Sequence, residues 1–94
     1  MSNNSKDIIF VGKKPLMTYV TSAIIQLATM PSITIKARGM TIAYAVDVAQ
    51  IVLQKTKPAF IIGDINIGSE SLVSQDGRNR DVSSIEISLK RAET

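Results

Sequence analysis

The sequence contains no cysteine, no histidine and no tryptophan, and only two tyrosines and two phenylalanines among its 94 residues. The absence of cysteine excludes disulfides, thiolate metal sites and cysteine nucleophiles. The absence of histidine removes the most common general base and the most common metal ligand at neutral pH. No apolar run approaches the length of about 20 residues that a membrane-spanning helix needs. The missing residue types argue against catalysis or metal binding by cysteine or histidine, and the lack of a long apolar run argues against a membrane-spanning helix.

The composition suits one small domain with a modest core. Apolar residues make up 45% of the chain, and lysine plus arginine exceed aspartate plus glutamate by 11 − 8 = 3. Such a small excess of positive charge is only weak evidence for a polyanionic partner. Because the first six residues are polar and lack a hydrophobic signal region, we expect a protein that stays inside the cell. We expect residues 1–6 to be a disordered N-terminal tip, residues 7–91 a single domain and residues 92–94 a short tail.

Hydrophobic periodicity predicts two helices and four strands in the order β-α-β-α-β-β. In the third strand, Ile61, Ile65 and Ile67 are expected on one face, and in the second helix Val46 belongs to the apolar stripe. Two β-α-β crossovers with both helices on one side of the sheet predict an α+β fold, a two-layer sandwich. The predicted strands cover residues 7–11, 32–38, 59–72 and 82–91, and the predicted helices cover residues 15–29 and 41–55.

The segment between the last two strands, residues 73–81, is polar and contains the turn signal Asp76-Gly77. Residues 69–81 offer little that could be buried, so we expect these strands to extend beyond the core as a projecting arm. Arg78 and Arg80 would lie near its tip, where arginine suits a narrow groove of strong negative potential. Local ion pairs with the neighbouring aspartates are the alternative.

Two adjacent lysines lie at the corner between the first strand and the first helix, in Gly12-Lys13-Lys14-Pro15. Gly12 allows the chain to turn, and Pro15 has the fixed φ that suits a first helical turn. Positive charge beside unsatisfied helix-start N–H groups favours an anion, and a phosphate in particular. The segment is not a P-loop, because the preceding glycine and the following Ser or Thr are missing. An ordinary solvated lysine pair is the alternative.

Several segments together resemble the Alba family of archaeal chromatin proteins, and the resemblance covers residues 7–90. The combination of Gly-Lys-Lys-Pro and Gln-Asp-Gly-Arg is the most specific part of it. The matching segments are Phe10 to Val20, Ile35 to Gly39, Ala45 to Asp47, Ile67 to Ser69, Ser74 to Arg78 and Val82 to Ile87.

The resemblance implies a fold like the C-terminal domain of translation initiation factor 3, with a long β3–β4 hairpin, and a homodimer without a cofactor or metal. It further implies sequence-independent binding of double-stranded DNA and of RNA, in the cytoplasm and on the chromosome, which the protein would package. Lys13 would also be a possible acetylation site whose modification weakens binding. The implied nucleic-acid contacts are Lys13, Lys14, Tyr19 and Arg38 on the body, and Arg78 and Arg80 on the arm along the minor groove.

Three positions depart from the family pattern. Met40 and Tyr44 stand where basic residues are common, which predicts a thinner basic surface. Thr56 lies near a position where some members carry an aromatic residue that joins dimer to dimer, so dimer–dimer contacts on DNA would differ here. Met40, together with Met17 and Met30, is expected to fill gaps in the packing.

Other interpretations remain beside this one. Tyr19 is as well suited to core packing as to contact with nucleic acid, and Arg38 could be solvated or paired with a carboxylate. An RNA-binding protein or RNA chaperone acting mainly on structured RNA is the main alternative function, followed by a pure assembly module. An enzyme is a further class, but no two of the acidic residues fall in a recognised metal spacing, and we expect no catalytic residues.

Overall fold

The computed structural model describes residues 7–92, and its elements follow the predicted order. The α+β two-layer architecture and the β-α-β-α-β-β order are confirmed. The expected disordered tip at residues 1–6 and most of the expected tail, residues 93–94, lie outside the described residues. The elements are β1 (Ile8–Phe10), α1 (Leu16–Leu27), β2 (Ser32–Arg38), a 3-10 turn (Gly39–Thr41), α2 (Ile42–Thr56), β3 (Phe60–Val73) and β4 (Asn79–Arg91).

The four strands form one sheet in the order β1-β2-β4-β3. β1 pairs with β2 in parallel, and β4 is antiparallel to both β2 and β3. β1, β2 and β3 therefore run in the same direction, and their carboxyl ends lie at the same edge of the sheet. The corner after β1, the 3-10 turn after β2 and the hairpin turn after β3 all leave the sheet on that side, which we call the loop edge.

Both helices cover one face of the sheet, and the other face is open to solvent. Alternation along each strand places every second side chain against the helices. In β2 this gives three buried side chains, Ile33, Ile35 and Ala37, beside Ile87 and Leu89 of β4. The helical side of the core consists of Tyr19, Val20, Ala23 and Leu27 of α1 and Ala45, Val48, Ala49 and Val52 of α2.

β3 contains a β-bulge that changes which side chains share a face. Ile62 pairs with Leu89 and Ile65 pairs with Ile87, so two residues of β3 oppose one residue of β4. The extra residue puts Ile61 on the open face and Ile65 on the helix side. The expectation that Ile61, Ile65 and Ile67 lie on one face is therefore wrong, because a strict period of two does not continue through a bulge.

Three apolar side chains expected in the packing are exposed instead. Met40 is 97% exposed because it lies in the 3-10 turn at the loop edge, beyond the core. Met17 and Val46 are 48% and 39% exposed. Each lies about 100° around its helix from the centre of the buried stripe, which is one residue's rotation. Of the three methionines expected to fill gaps, Met30 does pack against the core.

The hairpin of β3 and β4 projects from the loop edge as expected. Beyond the pair Arg38–Ser84, residues 69–73 and 79–83 pair only with each other, and these residues with their turn form the arm. Five paired residues extend the hairpin by about 17 Å. The strands reach further than expected, so that the turn contains only residues 74–78. With the arm, the described residues measure 50 × 29 × 21 Å.

The turn of the arm is closed by backbone and side-chain hydrogen bonds. Gly77 donates its N–H to the carbonyl of Ser74 at 2.9 Å, and Ser74 donates its own to the carbonyl of Arg78 at 2.8 Å. Gly77 has φ 84°, a backbone conformation that side chains disfavour. The carboxylate of Asp76 accepts hydrogen bonds from the Ser74 hydroxyl and from the backbone N–H of Arg78. Asp76 therefore joins both sides of the turn.

These bonds predict a pH dependence of the turn. The Ser74 hydroxyl, and secondly the Arg78 N–H, hold the pKa of Asp76 below its ordinary value of 3.8. A lowered pKa means that the stabilisation is present above 3.8 and is lost as the pH falls through the folded-state pKa. An NMR titration of the Asp76 carboxyl carbon should give a midpoint below 3.8, and Ser74→Ala should move it upward. A midpoint at or above 3.8 in the unsubstituted chain would contradict this assignment.

Candidate nucleic-acid interface

Lys13 and Lys14 occupy the corner between β1 and α1, and both side chains are exposed. Parallel pairing with β2 continues into the corner, where the N–H of Val11 donates to the carbonyl of Lys36 at 2.8 Å. Within residues 7–92, neither lysine forms an ion pair with a carboxylate. The first turn of α1 contains no acidic residue, and Pro15 provides no side-chain cap. The corner therefore presents positive charge and helix-start N–H groups that no anion among the described residues neutralises.

Two tyrosines hold the backbone of this corner. Tyr19 is only 6% exposed, and its hydroxyl oxygen accepts the N–H groups of Gly12 and Lys14 at 2.9 and 3.0 Å. Tyr44 donates its hydroxyl to the carbonyl oxygen of Lys14 at 2.9 Å. Tyr19 thus belongs to the core and also touches the lysine pair. The sequence indicates Tyr44 only as a position without a positive charge, because a contact across 30 residues has no local sequence signal.

Arg38 ends β2 at the loop edge, on the open face, but its charge is paired. Its guanidinium lies 2.9 Å from the carboxylate of Glu70 at the base of the arm. Two residues earlier in β2, the ammonium group of Lys36 lies 3.3 Å from the carboxylate of Glu86. The same ammonium group lies 5.9 Å from the ring centre of Phe10. In one protomer Arg38 is thus paired with a carboxylate, which is the alternative to a free cation that contacts nucleic acid. Both pairs are partly exposed, where ion pairs contribute little to stability.

Arg78 and Arg80 lie on the arm, farther from the body than the other candidate residues. Arg78 is in the turn, with its Nε 3.7 Å from the carboxylate of Asp76. Arg80 opposes Leu72 and, by alternation from Ser84, lies on the same open face as Arg38. Two arginines against three acidic residues give the arm a net charge of 2 − 3 = −1. The arm thus carries two arginines away from the body of the protein, but it has no net positive charge.

The strand directions bring the six candidate residues to one side of the molecule. The lysine corner and Arg38 follow the carboxyl ends of two adjacent strands, β1 and β2. The arm continues outward from the same edge. In the described part of the chain, no group of three or more acidic side chains is placed to hold a metal ion. None of its helices is long and apolar enough to cross a membrane.

Comparisons with known proteins agree with this architecture. The Alba family model matches residues 7–69. Over 92 residues the chain is 64% identical to the DNA/RNA-binding protein Alba of Nitrosopumilus maritimus (strain SCM1), with 97% of each sequence covered. A protein of the same name from Methanocella arvoryzae is 45% identical over 86 residues, with 90% of each covered. The solved structure of Alba from Thermoplasma volcanium is 47% identical, with a TM-score of 0.83 over 89% of this chain and 99% of that one. The family model covers more than half of the chain and these relatives match nearly all of it, so the chain belongs to the Alba family.

Proposed function

We propose that this protein binds double-stranded DNA, and also RNA, without reading sequence, and that it packages the chromosome as a homodimer. The observation that carries the proposal is the placement of the lysine corner, Arg38 and the arm at one edge of the sheet. Relatives that match nearly the whole chain are named DNA/RNA-binding protein, which supports nucleic acid as the partner. Phosphate contacts from lysine and arginine position a protein on a duplex but carry no sequence information.

Lys13 and Lys14 are the primary phosphate contacts in this proposal. They are exposed cations outside any ion pair of the described residues, and lysine binds phosphate without demanding one geometry. Arg38, Arg78 and Arg80 are secondary contacts, because Arg38 and Arg78 must first leave a carboxylate. Tyr19 acts through the corner backbone that it holds. Acetylation of Lys13 would remove one charge per subunit and weaken binding.

The helix side of β3 supports the homodimer. Ile65 and Ile67 are 53% and 82% exposed there, although Ile87 of β4, which pairs with Ile65, is only 2% exposed. Both isoleucines lie on the edge strand, where a second copy of the chain can cover them. Burying such side chains is favourable by about 25 cal/mol per Å². A twofold dimer would place four corner lysines against one duplex.

The lysine pair can be tested by the salt dependence of duplex binding. In Lys13→Ala/Lys14→Ala, the slope of log affinity against log salt should flatten by up to about 3.6 per dimer, or about 0.9 for each of four phosphate contacts. The matched control is Lys55→Ala/Lys57→Ala, which removes the same charge at the far end of α2. Titration of equal-length DNA and RNA duplexes measures both slopes. Equal slopes for the two double variants would contradict the proposed site, and a strong preference for RNA would favour the RNA-centred alternative.

Glu70 should weaken binding by holding Arg38. In Glu70→Gln the side chain keeps its shape and loses its charge, so Arg38 becomes available to phosphate. We expect tighter duplex binding and a slope steeper by about 0.9 per subunit. Asp81→Asn, which removes an equal charge from the arm and leaves both Arg38 and Lys36 paired, is the control. If Glu70→Gln changes affinity no more than Asp81→Asn, or has the same effect in an Arg38→Ala background, Arg38 is not a contact.

The dimer surface can be tested with one substitution. Ile67→Glu puts a charge into the covered apolar contact, and we expect it to convert dimers into monomers, as measured by sedimentation equilibrium. Ile25→Glu makes the same change at another exposed isoleucine, on the outer side of α1, and should leave dimers intact. A monomeric unsubstituted protein, or an Ile67→Glu protein that remains dimeric, would contradict this surface.

A further inference from the structure

The peptide units around Lys14 are held between two phenol oxygens that come from different helices. The hydroxyl oxygen of Tyr19 accepts the N–H groups of Gly12 and Lys14, and the hydroxyl of Tyr44 donates to the carbonyl of Lys14. All three donor–acceptor distances are between 2.9 and 3.0 Å, which is the usual range for strong neutral hydrogen bonds. Lys14 therefore has both of its backbone polar groups bound by side chains.

The two tyrosines support each other. Tyr19 lies in the first turns of α1, and Tyr44 lies in the first turn of α2. Their rings meet edge to face, with centroids 6.1 Å apart and planes at 83°, a favourable aromatic geometry. Tyr19 is only 6% exposed, so packing in the core restrains its ring. The start of α2 is thereby tied, through Tyr44, to a corner that belongs to β1 and α1.

The hydrogen bonds constrain the backbone of the corner but leave its lysine side chains exposed. A corner that is already ordered loses less conformational freedom when a ligand binds, and this raises affinity without a new contact. We propose that Tyr44 is a positioning residue that, together with Tyr19, pre-orders the Lys13–Lys14 backbone for phosphate. This inference rests on the proposed function and deepens it. It assigns Tyr44 no direct contact with the phosphate.

Tyr44→Phe is the direct test, because it removes one hydroxyl and keeps the ring packed on Tyr19. On a short DNA duplex at fixed salt, we expect affinity to fall about three- to tenfold, as for one neutral hydrogen bond. The slope of log affinity against log salt should stay unchanged, because all lysine charges remain. Amide hydrogen exchange of Gly12 and Lys14 in the unbound protein should become faster. Thr56→Val, which removes a 2.8 Å hydroxyl-to-carbonyl bond at the other end of α2, should change none of these quantities.

The outcomes separate this inference from the proposed function. If the unsubstituted protein lacks salt-dependent duplex affinity, the proposed function fails, and faster exchange in Tyr44→Phe then still supports the role of Tyr44 in ordering the corner backbone. Unchanged affinity and unchanged exchange in Tyr44→Phe would overturn the positioning role. A flatter salt slope would also overturn it, because phosphate contacts would then have been lost. An equal loss of affinity in Thr56→Val would assign the effect to general destabilisation of α2.

Discussion

The common direction of β1, β2 and β3 is the constraint on which the rest of the molecule depends. α1 connects β1 to β2 and α2 connects β2 to β3, and each crossover returns the chain to the same starting edge. The corner, the 3-10 turn and the arm must therefore leave from the opposite edge together. β4 lies antiparallel between β2 and β3, and the three parallel strands keep their common direction. Cations that are far apart in the sequence reach one side of the molecule for this reason.

The fold could be predicted from the sequence because its signals are local and repetitive. Ile33, Ile35 and Ala37 alternate as a half-buried strand should, and all three are buried. The turn at Asp76-Gly77 is encoded by two adjacent residues. The β-bulge could not be predicted in this way. It adds a single residue to β3, and its effect on Ile65 depends on pairing with a strand more than 20 residues later.

The candidate site could be predicted as a set of positions but not as an arrangement of charges. A count of charges along the sequence does not show that Arg38 and Glu70 are partners. In the sheet, the guanidinium of Arg38 lies 2.9 Å from the carboxylate of Glu70, across β4. Tyr44 is the converse case. Compared with the family pattern it stands where a basic residue is common, but in the fold its hydroxyl donates to the carbonyl of Lys14. Both facts depend on which elements become neighbours, and local propensity carries no information about that.

The bulge in β3 also decides which face of the sheet carries the side chains of Ile65 and Ile67. With an unbroken period of two from Ile61, the side chains of Ile65 and Ile67 would emerge among Lys36, Glu86 and their neighbours. The one inserted residue sends them to the helix side instead. Ile65 and Ile67 thereby lie on the opposite face of the sheet from the ion pairs of Lys36 and Arg38. A single backbone irregularity thus separates the surface proposed to face a polyanion from the surface proposed to face another protein chain.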